Sequence, residues 1–316
     1  MAGRREERLT DRKYVVFDVL DHIASLEMRA RDLVEGTMAG LQRSPYLGAS
    51  SEFAQHRAYV AGDDTRHIDW KVYGRTERYY VRQFQEETNF VVTFILDCSE
   101  SMRYGSGKTS KLDHACLMTA SLSYLALRQA DAVSVALFDE NLIGFLPPRT
   151  SLGSLGLVAS SLETIRPERG TKLETVVPVL VEMIGRRGIV VVISDLLDVG
   201  SPDGEDDTAG ILRAIQLLRH QRHEVVVMHV LDPQELSFDF GGRIRFEGME
   251  SLPAAVAEPN KIRADYVDII QRFLAQTKMA CAGTRSDYVL VNTAEPVDHL
   301  LVRYLTARGK IREGRR

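Results

Sequence analysis

The sequence predicts an α/β protein built on a doubly wound, mostly parallel β-sheet flanked by helices. Near-continuous apolar runs rich in Val and Ile recur from residue 90 onward, and such runs are typical of strands covered on both faces. Stretches with helical character separate these runs, and regular strand–helix alternation is typical of parallel sheets. The expected strands are 90–96, 132–138, 189–193, 225–230 and 288–291.

The helices expected between and after these strands complete the predicted domain. They cover residues 110–129, 151–165, 172–187, 208–222, 261–278 and 296–307. Pro178 lies inside the third of them, and a proline there should kink the helix or delay its start. Residues 236–250 are expected to form a hairpin, because Phe238 and Phe240 alternate with polar residues ahead of a Gly-Gly pair.

An N-terminal helical and β extension is expected before this domain. Residues 14–41 have apolar side chains at helical spacing and predict an amphipathic helix. Residues 53–60 and 79–85 are β-like and are expected to pair with each other. The predicted organisation is an extension over residues 1–88, the α/β domain over 89–307 and a basic tail over 308–316.

Composition is that of an ordinary soluble globular protein. The chain has 316 residues, 44% hydrophobic and 27% charged, and its formal net charge of −4 argues against nucleic acid as a partner. No apolar run approaches the roughly 20 residues of a membrane span, and the N-terminus lacks the apolar region of a signal peptide. The 3 cysteines are widely spaced and odd in number, which favours a reducing compartment. We therefore expect a cytoplasmic protein.

Polar residues follow the expected strands at their carboxyl ends, where ligands bind in open α/β sheets. Asp97, Ser99 and Ser101 follow the first strand, and at period-two spacing their side chains can project to one side. Thr171 precedes the third helix, and Asp195 follows the third strand. Carboxylate and hydroxyl oxygens are hard ligands that suit Mg²⁺ or Mn²⁺. These five residues are the candidate metal ligands.

Each of these residues also has an ordinary structural role. An Asp or Ser after a strand is commonly a turn residue or a helix N-cap, and Thr171 taken alone is a candidate cap. Their combination on three loops favours the metal site. Two carboxylates would neutralise a divalent cation and leave a coordination position for an incoming acidic group. Such a site binds a partner rather than catalysing a reaction.

The three loops resemble the metal-ion-dependent adhesion site of von Willebrand factor type A domains. Upstream, the run GDDxRxIDWK resembles the signature of the domain-of-unknown-function 58 family, which joins such a segment to a type A domain. The resemblance extends from about residue 14 to 308. The residues that carry the signature are Gly62, Asp63, Asp64, Arg66, Asp69, Trp70 and Lys71.

Similarity to that family implies a function as well as a fold. It implies Mg²⁺ at the loop site, no established catalytic activity, and partnership with a MoxR-type AAA+ ATPase in chaperone-like work on other proteins. Asp97 and Asp195 would be the charged ligands, direct or through water, and Ser99 and Ser101 the hydroxyl ligands. Thr171 would be a ligand in one state and a hydrogen-bonding neighbour of the metal's ligands in the other.

A second signal keeps a different class of function open. Residues 105–110, GSGKTS, resemble the end of a phosphate-binding loop, which would make the chain a P-loop-like NTPase that uses Lys108. The match is incomplete, because Met102 stands where that loop needs its first glycine. Other catalytic classes lack a required group: Ser99 replaces the second Asp of haloacid-dehalogenase-type phosphotransferases, and there is no GxSxG elbow. Nucleotide binding is the alternative to an interaction module.

Overall fold

A computed structural model of the chain describes residues 26–35, 56–58, 73–75, 78–82, 90–185, 187–197, 207–242, 244–246 and 255–313. The chain divides into two compact units. One consists of Met1–Gly40 with Phe90–Arg316, and the other is Leu41–Asn89. The N-terminal helix thus belongs to the unit that holds the sheet.

The described strands and helices follow the predicted alternation. Short 3-10 turns lie at Glu100–Arg103 and Leu152–Ser154. The other elements, in chain order, are α1 (residues 26–35), β1 (His56–Ala58), β2 (Tyr80–Arg82), β3 (Val91–Asp97), α2 (Lys111–Arg128), β4 (Ala132–Phe138), β5 (Leu142–Arg149), α3 (Leu155–Glu163), α4 (Leu173–Met183), β6 (Ile189–Ser194), α5 (Asp207–His220), β7 (Glu224–Leu231), α6 (Pro233–Ser237), β8 (Ile244–Phe246), β9 (Ala255–Ala257), α7 (Pro259–Gly283), β10 (Asp287–Asn292) and α8 (Val297–Glu313).

The smaller unit contains an antiparallel strand pair. β1 and β2 pair with Arg57 opposite Val81, which confirms the pairing predicted for the two β-like segments. The rings of Tyr73 and Tyr79 stack with their centroids 4.5 Å apart. The family-signature residues lie outside the described residues; they are Gly62, Asp63, Asp64, Arg66, Asp69, Trp70 and Lys71.

The larger unit is built on a six-stranded sheet in the order β10-β7-β6-β3-β4-β5. Every neighbouring pair is parallel except β4 and β5, which are antiparallel. The prediction of a doubly wound, mostly parallel sheet flanked by helices is confirmed. The chain passes from β3 to β4 on one side and returns to β6 on the other, so the strand order reverses at β3. Ligands in open α/β sheets bind at the carboxyl ends of strands beside such a reversal.

Both faces of the sheet are covered, which is why its strands appear as continuous apolar runs. Successive side chains of a strand point to opposite faces. Phe94 and Leu96 of β3 pack in a cluster with residues of α1, α2, α3 and α8, whereas Ile95 packs in a second cluster with residues of α4 and α5. Burying one large apolar side chain stabilises the fold by about 1.5–3 kcal/mol. The two clusters therefore hold the strands, and the loops at their ends, in place.

Strand β5 was absent from the sequence prediction. It contains Gly144, Pro147 and Pro148, residue types that are depleted in strands. The strand lies at the edge of the sheet, and β4 is its one neighbour among the described strands. Proline is tolerated at an edge because its missing N–H is not needed by a second neighbour.

The hairpin predicted at residues 236–250 is wrong in its placement. Asp232 caps the short helix α6, and Phe238 directly after that helix has a φ of 50°, in the left-handed region that strands do not use. The antiparallel pair that does form joins β8 to β9. The rings of Phe238 and Phe240 lie edge to face with centroids 5.1 Å apart, so the two phenylalanines pack on each other rather than on one face of a strand.

Several predicted helices differ from the structure at their ends or in their extent. α4 ends at Met183 instead of residue 187, but it begins at Leu173, so Pro178 does not delay its start. α8 continues to Glu313, into the predicted basic tail, instead of ending at residue 307. The helix predicted at 14–41 is seen as α1, and its remaining residues lie outside the described ranges. None of the helices in the described part of the chain is both long enough and apolar enough to cross a membrane.

Candidate metal centre

The carboxyl ends of β3, β6 and β7 lie side by side in the sheet. Leu96 on β3 is opposite Ile193 on β6, so the residues that follow them, Asp97 and Ser194, are neighbours. Ser194 is in turn opposite His229 on β7. The parallel register alone thus places polar side chains from three strands along one line, at the edge of the sheet where the strand order reverses.

Asp97 is fully buried and accepts hydrogen bonds from three different segments of the chain. The Ser194 hydroxyl donates to Oδ2 at 2.5 Å, and the backbone N–H of Ser99 donates to Oδ1 at 2.9 Å. The Thr171 hydroxyl lies 3.2 Å from each carboxylate oxygen. Hydrogen bonds to an ionised carboxylate are stronger than neutral ones, so this arrangement holds the Asp97 side chain in one orientation.

The loop after β3 presents two hydroxyls next to this carboxylate. The Ser99 and Ser101 hydroxyls share a hydrogen bond of 2.9 Å. The backbone N–H of Glu100 donates to the carbonyl oxygen of Arg169 at 2.8 Å, which ties this loop to the segment that carries Thr171. The structure therefore brings four of the five predicted ligands into one hydrogen-bonded cluster: Asp97, Ser99, Ser101 and Thr171.

The fifth predicted ligand, Asp195, has a different set of partners. Its Oδ2 accepts from the Lys111 ammonium at 2.7 Å, and its Oδ1 accepts from the backbone N–H of Leu197 at 3.1 Å. β6 thus contributes the hydroxyl of Ser194, rather than the carboxylate of Asp195, as a hydrogen-bond partner of Asp97. The two carboxylates are nevertheless close enough for charge repulsion from Asp195 to raise the pKa of Asp97.

Carboxyl groups outnumber cationic groups among the described residues of this cluster. Burial, together with repulsion from Asp195, raises the pKa of Asp97 to about 7. Burial lowers the pKa of Lys111, but attraction to Asp195 and Glu235 outweighs it, so its pKa is raised and the ammonium stays charged. The described residues of the cluster include three carboxyl groups, Asp97, Asp195 and Glu235, and one ammonium, which contacts Asp195 and Glu235. The excess is two negative charges when all are ionised. Uncompensated buried charge is costly, and a divalent cation would balance it.

The donor set fits a hard divalent cation. Carboxylate and hydroxyl oxygens are the groups that Mg²⁺ and Mn²⁺ prefer, and Mg²⁺ needs only one or two carboxylates besides water. No group of three or more His, Cys, Asp or Glu side chains in the described part of the chain is arranged to hold a metal. A cation at this edge of the sheet would therefore depend on the serine and threonine hydroxyls as well as on Asp97.

His229 fixes the backbone of Asp195. Its Nε2 lies 2.8 Å from the carbonyl oxygen of Asp195, and because a carbonyl oxygen only accepts, Nε2 carries the proton. The Tyr288 hydroxyl, 2.9 Å from Nδ1, then donates to that nitrogen. Burial lowers the pKa of His229 to about 4, so the ring is neutral. The neutral histidine thus links Tyr288 of β10 to the backbone at the end of β6 through two hydrogen bonds.

Sequence reasoning missed Lys111 and Glu235. The ammonium of Lys111 donates to Glu235 at 2.6 Å in addition to Asp195. Lys111 did carry a signal, because it is the first residue of α2 and a cation there is disfavoured by the helix dipole unless carboxylates surround it. Glu235 carried none, since it completes the capping box of α6 and is fully explained by that local role.

The GSGKTS segment at residues 105–110 does not form a phosphate cradle. Its backbone is turned toward a carboxylate: the N–H and hydroxyl of Ser106 donate to Asp232 at 2.9 and 2.6 Å. Ser110 closes the N-terminus of α2 as the N-cap of a capping box. A phosphate-binding loop would direct such donors at the phosphates, with its lysine beside them, whereas Lys108 is exposed. The geometry gives the NTPase alternative no support.

A comparison with protein-family models decides the family. The model described as "Protein of unknown function DUF58" matches residues 55–273, more than half of the chain. The chain belongs to the DUF58 family. The resemblance drawn from the sequence motif is confirmed, and the matched range includes both the signature run and the candidate metal ligands.

Mycobacterial relatives also match this chain. Uncharacterized proteins of Mycobacterium tuberculosis and Mycobacterium bovis are each 26% identical to this chain over 233 residues, which are 72% of this chain and 70% of theirs. The similarity therefore extends over most of this chain and most of each relative.

Among solved structures, three matches illustrate the range of similar chains. An aerotolerance-related membrane protein from Bacteroides fragilis has 17% identity and a TM-score of 0.43, covering 66% of this chain and 94% of that one. The conserved hypothetical protein BatB from Bacteroides thetaiotaomicron has 17% identity and a TM-score of 0.40, covering 69% and 99%. The vWF domain of the type V pili tip protein Mfa5 from Porphyromonas gingivalis has 12% identity and a TM-score of 0.36, covering 69% and 94%. The fold class of the DUF58 chain follows from its own strand order and packing.

Proposed function

We propose that this chain is a metal-dependent protein-interaction module that serves as an adaptor or co-chaperone of a MoxR-type AAA+ ATPase. One observation carries the proposal: hydroxyls from the Thr171 loop and the end of β6 converge with the β3 loop on the buried carboxylate of Asp97. Oxygen donors gathered around one buried carboxylate, in a cluster with excess negative charge, are what a divalent cation requires.

In this proposal the cation is Mg²⁺ or Mn²⁺, and the chain's residues divide its binding among them. Asp97 is the direct charged ligand, Ser99 and Ser101 supply hydroxyls, and Thr171 either ligates or orients Asp97. Asp195 acts through water. When bound, the cation supplies a positive charge to which an acidic side chain of the partner can bind. The sheet register and the Glu100–Arg169 backbone bond hold the loops ready for that contact.

The partner and the compartment complete the proposal. The MoxR-type ATPase is the partner that membership of the DUF58 family suggests. Such an ATPase is cytoplasmic in this proposal, so the two proteins would bind each other in a reducing compartment. The 3 cysteines, Cys98, Cys116 and Cys281, are all free and buried, which supports that assignment.

The proposal is tested with purified proteins. Binding of the full chain to the MoxR-type ATPase of the same organism is measured by biolayer interferometry in Mg²⁺, in Mn²⁺ and in EDTA. Asp97→Asn removes the direct charged ligand, and Asp268→Asn, at an exposed ion pair on α7, is the matched control. Circular dichroism establishes that each variant is folded.

The proposal expects binding in either metal, none in EDTA, loss of binding for Asp97→Asn and retention for Asp268→Asn. Equal binding in EDTA would keep the partnership and remove the metal mechanism. Absence of binding under every condition would remove the ATPase from the proposal.

A further inference from the structure

Lys111 is a fully buried ammonium that joins three elements around the candidate metal centre. It is the first residue of α2, and its Nζ lies 2.7 Å from Oδ2 of Asp195, directly after β6. The same atom lies 2.6 Å from Oε1 of Glu235 on α6, whose side chain is only 16% exposed. The side chains of Lys111 and Asp195 have no exposed surface at all.

This arrangement is not an ordinary ion pair. Exposed pairs contribute little and tolerate the loss of a partner, whereas a buried charge that loses its partner is strongly unfavourable. Lys111 also stands at a helix N-terminus, where the helix dipole disfavours a cation. One fully buried carboxylate, Asp195, and one partly buried carboxylate, Glu235, compensate for both costs. Because the ammonium already contacts Glu235 as well as Asp195, Glu235 offers a second position for the charge that now neutralises Asp195.

We propose that Lys111 is a built-in counter-cation that competes with the divalent metal for Asp195, and that Glu235 sets the outcome by accepting the ammonium when the metal binds. The inference rests on the proposed metal-dependent function and deepens it. While Lys111 lies on Oδ2 of Asp195, that oxygen is withheld from the water through which Asp195 would hold the cation. Repulsion by the dication then shifts the ammonium toward Glu235. Lys111 and Glu235 are thus determinants of metal affinity without being metal ligands.

The two residues are expected to act in opposite directions. Lys111→Met preserves the apolar stem but removes the competing charge. Metal should therefore bind about tenfold tighter or more, because unit charges about 4 Å apart interact strongly in a protein. Glu235→Gln removes the second position for the ammonium and leaves it with Asp195, so metal should bind several-fold more weakly. A purely structural ion pair would predict weaker metal binding for both variants, because both would loosen the site.

The test is Mn²⁺ titration of the full chain by isothermal titration calorimetry, on the wild type, Lys111→Met, Glu235→Gln and Asp97→Asn. Lys261→Met is the matched control, because Lys261 forms an exposed pair with Glu258 at 2.7 Å. A second readout is independent of affinity: the ¹H–¹⁵N signal of the Lys111 ammonium, assigned by its absence in Lys111→Met, is followed during Mg²⁺ titration. If Lys111→Met does not fold, the Lys111 signal is identified as the one that Glu235→Gln shifts and that Lys261→Met leaves in place.

Tighter binding by Lys111→Met, weaker binding by Glu235→Gln and an ammonium signal that shifts with Mg²⁺ support the inference. Affinity that is unchanged or weaker in both variants, or an ammonium signal that ignores Mg²⁺ while the wild type binds metal, overturns the inference and leaves the proposed function intact. A wild type that binds no better than Asp97→Asn overturns the proposed function, and the inference falls with it.

Discussion

The hydroxyl of Thr171 lies 3.2 Å from both carboxylate oxygens of Asp97, although the two residues are 74 positions apart in the chain. Thr171 is only 4% exposed, so water does not compete freely for this contact. The loop before α4 is thereby attached to the end of β3, across the reversal in strand order. This contact makes Thr171 part of the candidate metal centre rather than a helix cap; the N-cap position of α4 belongs to Lys172.

Replacing Thr171 should therefore weaken metal binding. Thr171→Val keeps the shape and removes the hydroxyl, and a hydrogen bond to a charged group contributes about 1.5–3 kcal/mol, so Mn²⁺ affinity should fall about ten- to a hundredfold. Thr171→Ser retains the donor and should stay within a few-fold of the wild type. Calorimetric Mn²⁺ titration measures both. Equal affinity for the valine and serine variants would remove Thr171 from the site.

Lys108 provides the test of the nucleotide-binding alternative. Because the donors of its loop face Asp232 and α2 is already capped, the chain alone should not turn over ATP, and Lys108→Ala should leave metal affinity unchanged. A coupled ATPase assay on the purified chain alone measures ATP turnover, and Mn²⁺ titration measures metal affinity. ATP turnover by the wild type that disappears in Lys108→Ala would contradict the prediction and restore the NTPase hypothesis.

Buried His114 should make stability depend on pH. Its Nε2 has no hydrogen-bond partner among the residues that the structure describes, and burial lowers the pKa of its imidazole. As pH falls below about 6.5, the pKa of histidine in the unfolded chain, the unfolded chain binds a proton that the native chain does not bind. The free energy of unfolding therefore decreases. His223 and His229, whose pKa values are also lowered by burial, contribute to the same trend.

His114→Leu should flatten this pH dependence. One proton accounts for a slope of at most about 1.4 kcal/mol per pH unit, and the variant should lose up to that share. Urea unfolding between about pH 7.5 and 5.5 measures the slope around the unfolded histidine value. His220→Gln, at an exposed position on α5, is the control and should match the wild type. A His114→Leu slope identical to that of the wild type would show that this histidine is not neutral in the fold.

Leu180 and Val179 are neighbouring apolar residues of α4 that differ in burial, so they test how much burial contributes to stability. Leu180 is fully buried in the second core cluster, whereas Val179 beside it is 49% exposed. Leu180→Ala should lower the free energy of unfolding by about 2–5 kcal/mol because it leaves a cavity. Val179→Ala should change it by less than about 0.5 kcal/mol. Chemical denaturation of both variants checks the difference; similar losses would mean that α4 is not packed on the sheet through Leu180.

Most of the fold was accessible from the sequence because its strongest signals are local. Runs such as 189–193 are apolar at every position, which is typical of a strand with both faces covered, and the structure packs them in two clusters. Where a local signal was absent or ambiguous, the prediction failed. β5 contains prolines that an edge position tolerates, and the phenylalanines before residue 241 pack on each other instead of forming a strand.

The sequence by itself determined that four oxygen donors, from the loops after β3 and before α4, would meet at one end of the sheet. The parallel order of strands and helices requires those loops to share an edge, whatever the details of packing. Only the tertiary structure decided the charge state of that edge. Lys111 reaches Asp195 and Glu235 because the start of α2 faces the ends of β6 and β7, a juxtaposition across sequence separations of 84 and 124 residues that no spacing encodes.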